Sequence, residues 1–397
     1  MNSGENTKNA KVNETERKIS TADLGKPVAA TFKKTIASEE ELVAISNNVY
    51  TNKSLYTYME LDGLSQGGEI YVGHAILPKL NDEGNYVDGA YASSYAVISD
   101  KTVQFINYYS ETNNNIGVTT ANPLANSDIY EHGLTVSGAL EIRIDTEYGI
   151  ASFKMSTPDG SFEKSGIKWN GRQGKVLVKP VGLKLSRVEL NWYCDALSEK
   201  VWVFGASYLN YTDKSRWPYY MKMAGYTKNC LIGYPGMGTA PALRDLKLFV
   251  EELGYRPKYV AWTVGMNTAD IKGSGEPNAR WLADTKEFVS ICKSYGITPV
   301  LCTIPNTPTI VNIYKNAWIR ESGERYIDMA ESVGSNSYDE SLIGKETGVE
   351  GATKLNTTGY RWTVGYISKD LVHPLAAGAE AMYKGVLSDF PELKGSK

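Results

Sequence analysis

The chain has 397 residues, with 42 Lys plus Arg against 45 Asp plus Glu for a formal net charge of −3, and 42% of it is hydrophobic. This composition allows a sizeable core in roughly two or three domains and excludes wholesale disorder and fibrous repeats. A near-balanced charge without a long Lys/Arg block argues against nucleic acid as a partner.

Residues 1–27 are polar and too poor in apolar residues to fold alone, so they read as an arm or linker. This start has no apolar run of the secretory kind, and no stretch reaches about 18 apolar residues, so a soluble protein without a membrane span is expected. From 28 to 196, short β-branched and aromatic segments are punctuated by Gly, Asn and Asp. They are 68–73, 93–99, 102–109, 134–145, 150–157, 175–180 and 185–194. The alternations Leu140, Ile142, Ile144 and Val188, Leu190, Trp192, Cys194 predict half-buried antiparallel strands, and Pro158-Asp159-Gly160 predicts a hairpin. The expected fold of this half is an antiparallel β-sandwich, jelly-roll or lectin-like.

The period changes over 197–397. Short apolar runs at 200–205, 230–233, 258–265, 298–304 and 325–330 suit buried parallel strands. Between them, Leu243, Leu246, Phe249, Val250 and Leu253, then Trp281, Leu282, Thr285, Phe288, Val289 and Cys292, have helical spacing. Strand–helix alternation predicts a three-layer α/β/α domain with a parallel sheet and chemistry at the carboxyl ends of its strands.

The four cysteines, Cys194, Cys230, Cys292 and Cys302, lie far apart and read as buried thiols. His74, His132 and His373 are the only histidines, and no zinc-type spacing occurs, so neither a metal nor a cofactor is expected.

The loops after the predicted strands carry Gly205-Ala206-Ser207-Tyr208, Gly236-Met237-Gly238-Thr239, Gly265-Met266-Asn267-Thr268 and Asp370-Leu371-Val372-His373-Pro374. A serine hydroxyl needs a base within hydrogen-bond reach, and His373 is the only histidine in the α/β half. Asp370 is placed to orient that imidazole, just before a helix expected to start at Pro374. Over roughly 198–394 the ordered set resembles the SGNH hydrolases, or GDSL esterases and lipases, named for a Ser, a Gly, an Asn and a His. The resemblance implies that the sheet is flavodoxin-like, with Ser207 as nucleophile, His373 as base and Asp370 as its partner. It also implies an oxyanion hole of the Ser207 and Gly236 backbone N–H groups and the Asn267 amide, with Gly238 as the alternative to Gly236. Two positions depart from the family pattern, Ala206 before the serine and Thr268 after the asparagine, where carboxylates are usual. Asp213 or Asp270 could supply the lost loop hydrogen bonds.

The expected activity is carboxylic ester hydrolysis through an acyl-enzyme, with an acetylated carbohydrate as substrate, extracellular or on a cell surface. Tyr208, Asn210, Tyr211 and the 334–369 stretch with Tyr338, Tyr360, Arg361 and Trp362 are polar and aromatic, which suits sugar rings, although packing or loop anchoring explains such aromatics equally. Tyr208 and Trp362 are the candidate substrate contacts. The alternatives are another SGNH lipase or thioesterase, or a structural or glycan-binding component of a virion or cell-surface assembly. Oligomeric state is left open.

Overall fold

The computed structural model describes residues 30–36, 42–46, 53–64, 67–75, 92–109, 127–147, 150–169, 175–209, 213–233 and 236–395. The polar arm, Asn210 and Tyr211 lie outside them. The chain divides into two compact units, 1–195 and 196–397. Among the described residues no helix is long and apolar enough to cross a membrane.

Among the described residues the first unit holds twelve strands: β1 (Ala30–Ile36), β2 (Leu42–Ser46), β3 (Lys53–Leu61), β4 (Glu69–Ala75), β5 (Ala92–Ile98), β6 (Thr102–Tyr109), β7 (Ser127–Glu131), β8 (Gly138–Glu147), β9 (Ile150–Thr157), β10 (Gly160–Lys168), β11 (Lys175–Val181) and β12 (Leu185–Tyr193). They form two six-stranded antiparallel sheets, ordered β1-β12-β3-β8-β9-β10 and β2-β11-β4-β5-β6-β7. Along β8, Leu140, Ile142 and Ile144 are fully buried while Glu141 and Arg143 are exposed, as the period of two requires. The inner faces meet where Phe105 on β6 packs edge-on against Phe153 on β9, ring centroids 5.0 Å apart, which makes the unit a β-sandwich. The β9–β10 hairpin turns at Pro158-Asp159, with Gly160 opposite Thr157. Strand β8 starts at Gly138 rather than at Leu134, because Gly138 takes φ +69° and breaks the extended run.

The second unit carries β13 (Val201–Gly205), α1 (Trp217–Met223), β14 (Cys230–Gly233), α2 (Thr239–Lys247), β15 (Tyr259–Trp262), α3 (Ala279–Ser294), β16 (Thr298–Cys302), α4 (Ile313–Glu321), β17 (Arg325–Ile327), α5 (Met329–Ser332) and α6 (Ala376–Asp389). The strands are parallel and ordered β14-β13-β15-β16-β17. Numbered within this sheet the order is 2-1-3-4-5, that of flavodoxin-like sheets. Right-handed crossovers that run in opposite directions along the sheet, β13 to β14 and β14 to β15, put α1 and α2 on opposite faces. Accordingly α1 packs with α6, and α2 with α3. All five residues of β13 are buried, as in a strand covered on both sides. Trp262 of β15 stacks on Phe288 of α3 at 4.5 Å, fixing one helix layer to the sheet. Strand β17 ends at Ile327, because the Asp328 carboxylate accepts the Glu331 N–H and caps α5.

The sheet order reverses between β13 and β15, which opens a crevice at their carboxyl ends. Ser207 follows β13, Gly236 follows β14 and Asn267 follows β15.

Candidate active site

After Gly205 the chain leaves β13 in a tight 3-10 turn, Ser207–Leu209, closed by the Leu209 N–H on the Ala206 carbonyl at 3.0 Å. Leu209 and Ala206 are buried, so the turn is anchored on both sides of the half-exposed Ser207. The Ser207 carbonyl accepts from Arg216 Nε at 2.9 Å, and Arg216 Nη1 also donates to the carbonyl and Oγ of Ser215.

His373 and Asp370 share a small hairpin. Ile367 bridges Pro374, the Ser368 N–H reaches the His373 carbonyl at 2.8 Å, and the Leu375 N–H reaches the Tyr366 carbonyl at 2.8 Å. Its turn is closed by the Leu371 N–H on the Ser368 carbonyl at 2.9 Å, with Leu371 at φ +60°, a left-handed conformation costly for a branched side chain. That conformation turns the Val372 and His373 N–H groups onto Asp370 Oδ1, both at 2.9 Å. Helix α6 begins at Ala376, so Pro374 belongs to the hairpin and does not start the helix. Its ring supplies no N–H, and its bridge to Ile367 holds the strand pair instead.

Three side chains form one relay. Ser207 Oγ lies 2.7 Å from His373 Nε2, and His373 Nδ1 lies 2.7 Å from Asp370 Oδ2. Ser368 Oγ donates to Asp370 Oδ1 at 2.7 Å. Burial opposes ionisation of Asp370, but the hydrogen bonds from the His373 ring and backbone, the imidazolium charge and the Ser368 hydroxyl outweigh it. They hold the carboxyl well below the ordinary carboxylate range. An ionised Asp370 only accepts, so Nδ1 carries a proton, and in the neutral imidazole Nε2 is the acceptor for the Ser207 hydroxyl.

The loop after β14 makes a turn with Gly236 at φ +84°, a backbone region a side chain would oppose. Asn267 sits exposed in the loop after β15, and its Nδ2 donates to the Met237 carbonyl at 3.1 Å. This bond ties the Gly236 and Asn267 loops together. The Gly265–Thr268 turn is closed by the Thr268 N–H on the Gly265 carbonyl at 3.0 Å. A Cβ on Gly265 would lie 2.1 Å from Ile304 Cδ1, so only glycine fits there.

The candidate substrate contacts Trp362 and Tyr208 both bond to backbone carbonyls, and Trp362 is buried. Trp362 is 3% exposed and its Nε1 donates to the Asn306 carbonyl at 2.6 Å, so it anchors the loop from inside and has no face for a substrate. Tyr208 donates its hydroxyl to the Val372 carbonyl at 2.5 Å, with its ring edge toward His373 at 5.9 Å. Burial pushes its phenol up, and the side chain buttresses the His373 hairpin.

Of the two aspartates expected to stabilise the loops, Asp270 takes the larger part. It accepts from the backbone N–H groups of Asn278, Tyr314 and Lys315, at 3.0, 3.0 and 3.1 Å, thereby tying the Asn267 loop to the starts of α3 and α4. Asp213 accepts from the Ser215 N–H at 2.8 Å and lies 3.9 Å from Arg216 Nη1. Sequence reasoning missed Arg216, Ser368 and Lys315. The only available signal was Lys315 itself, a charged residue four before Ile319 and on the same helical face.

All four cysteines are buried, and burial pushes the Cys292 and Cys302 thiols up. His132 is spent on structure, with Nε2 3.1 Å from the Ser99 carbonyl and Nδ1 accepting the Leu134 N–H. The His74 side chain lies outside the described residues.

No family model matches the chain, and no curated protein matches it. Among solved structures, it is similar to a GDSL-like lipase from Bacteroides thetaiotaomicron (14% identity, 48% of this chain, 86% of that one, TM-score 0.31). It is also similar to the psychrotrophic esterase EstA from Pseudoalteromonas sp. (14% identity, 50% of this chain, 100% of that one, TM-score 0.32). The protein YXIM from Bacillus subtilis is matched over 95% of this chain and 87% of that one, at 13% identity and TM-score 0.35.

Proposed function

We propose that the α/β unit is a serine ester hydrolase of the SGNH type, acting on an O-acetylated carbohydrate. The observation that carries the reading is the unbroken relay from Ser207 Oγ through the His373 imidazole to Asp370, each link 2.7 Å long. In this reading Ser207 Oγ attacks the ester carbonyl while His373 Nε2 takes its proton, and the Asp370 carboxylate stabilises the imidazolium that forms. The developing oxyanion is met by the Asn267 amide and the backbone N–H groups of Ser207 and Gly236, donors whose single removal typically costs about 10²–10³ in rate. Collapse of the intermediate returns the proton to the leaving alcohol. Water, activated by the same imidazole, then releases the acid from Ser207.

A short acyl group is favoured because the loops at this edge are tied by polar side chains and carry no long apolar run. A sugar is favoured by Tyr338, 54% exposed in the loop after α5, with its ring against Gly359 and 5.5 Å from Tyr360. Acetate release from acetylated xylan, pectin, bacterial capsule and sialic acid tests the substrate class. With p-nitrophenyl esters, kcat/KM is expected to fall from acetyl to butyryl to octanoyl. In an apolar acyl groove each further buried CH₂ would add about 0.8 kcal/mol, so a faster octanoyl ester would point to a lipid substrate.

A further inference from the structure

Lys315 lies on α4, outside the relay, and is fully buried. Its ammonium donates to the Gly265 carbonyl at 3.0 Å and to the Thr268 carbonyl. These are the first and last residues of the turn that carries Asn267. Asp270 accepts from the Lys315 backbone N–H, and the ammonium makes no ion pair among the described residues. It lies 5.8 Å from the Trp281 ring centroid. An ammonium taken out of water typically costs several kcal/mol, and here the Asp270 carboxylate acts on it only from beyond ion-pair distance, so this position is a poor one for stability alone. What it secures is geometric. Both ends of a four-residue turn hang on one atom, and the third residue of that turn aims its amide across to the Met237 carbonyl beside Gly236.

We propose that Lys315 is a positioning residue for the Asn267 donor, its buried ammonium clamping the Gly265–Thr268 turn and so fixing where the Asn267 amide points when an ester is cleaved. The inference rests on the hydrolase reading above. Lys315 touches no reacting atom in it and acts only through Asn267. A donor displaced by a fraction of an ångström no longer meets the oxyanion, although substrate still binds, so the consequence falls on kcat and not on KM.

The test is a double-mutant cycle in the full chain, on p-nitrophenyl acetate, with Lys315→Met, Asn267→Ala, their combination, and Ser207→Ala as reference. Asn267→Ala should lower kcat by about 10²–10³-fold, as for other single oxyanion donors. Lys315→Met should lower kcat by about 10-fold or more at nearly unchanged KM. The double variant should be no slower than Asn267→Ala within about 3-fold, since residues acting as a unit are not additive. Full kcat in Lys315→Met, or losses that multiply in the double variant, would overturn the proposal while leaving the hydrolase reading intact. Activity retained by Ser207→Ala would remove that reading and the proposal with it. If Lys315→Met does not fold, Lys315→Gln, which loses the charge and reaches the turn only with a shorter amide, takes its place in the cycle. Failure of both to fold while Asn267→Ala folds would assign Lys315 to stability and overturn its positioning role.

Discussion

Ser207 and His373 are 166 positions apart and 2.7 Å apart in space, which makes their contact the most demanding product of the fold. Ser207→Ala and His373→Ala should each abolish hydrolysis of a small ester at unchanged circular dichroism. Asp370→Asn should lower kcat on the order of 10³–10⁴-fold, because an amide N–H₂ facing Nδ1 selects the wrong tautomer. The same substitution should change acid stability. Asp370 is ionised in the folded chain at pH values where an unfolded carboxyl, near ~3.9, is protonated, so its contribution is complete above that value and is lost as pH falls below it. Denaturation midpoints measured from pH 6 downward should therefore fall more steeply for wild type than for Asp370→Asn.

Lys315 gives the opposite kind of pH dependence. Burial lowers its ammonium to about 8, against the pull of the Asp270 carboxylate. An unfolded lysine titrates near ~10.4, so between these values the unfolded chain binds more protons and stability rises with pH. From pH 8 to 10, wild type should gain stability relative to Lys315→Met, as followed by thermal unfolding. At this scale Ser207, His373 and Asp370, which the fold brings together, were legible in the sequence as candidates, because each stands in a loop at a strand end or before the last helix. The supporting ones were not. Tyr208 and Trp362 have the composition of ligand contacts, and only their bonds to the Val372 and Asn306 carbonyls reveal them as supports.

Among the elements, the two site loops differ in how they are held. The 366–375 hairpin is closed by its own backbone bonds and by Asp370, whereas the 265–268 turn depends on groups from α4 and on a glycine with no room for a Cβ. Gly265→Ala would bring a methyl within 2.1 Å of Ile304 Cδ1 and 2.8 Å of Trp281 Nε1. We expect a loss of about 2–3 kcal/mol in urea unfolding, of the size seen for overpacking combined with a strained backbone. Strands such as β8, β9 and β13 were legible because their apolar period or run is complete. Strand β3 was not singled out: its inward row of Leu55, Thr57, Met59 and Leu61 is broken by a buried threonine. Strand β1, with Lys33 and Lys34 at its centre, gives still less of a pattern and exists through its pairing with β12.

For the whole molecule, each unit has its own sheets and its own buried core. A chain of residues 196–397 should therefore fold and keep hydrolysis of a small ester that Ser207→Ala removes. A chain of residues 28–195 should give a β-type circular dichroism spectrum. A helical spectrum from the latter would contradict the sandwich.

Sequence alone determined where the β-rich half yields to strand–helix alternation, which runs are buried, and which four loop positions carry serine, glycine, asparagine and histidine. These are local properties, since periodicity reports which face of an element is apolar and chemistry-bearing residues keep their identity in any fold. Only the tertiary structure decided the sheet order, the burial of Trp362, the Tyr208 support for the His373 hairpin and the Lys315 clamp on the Asn267 turn. Each of these depends on groups brought together across the chain by packing. A hydrogen bond between residues tens of positions apart leaves no periodic trace in the sequence, because its geometry exists only once the sheet and its helices have closed around it.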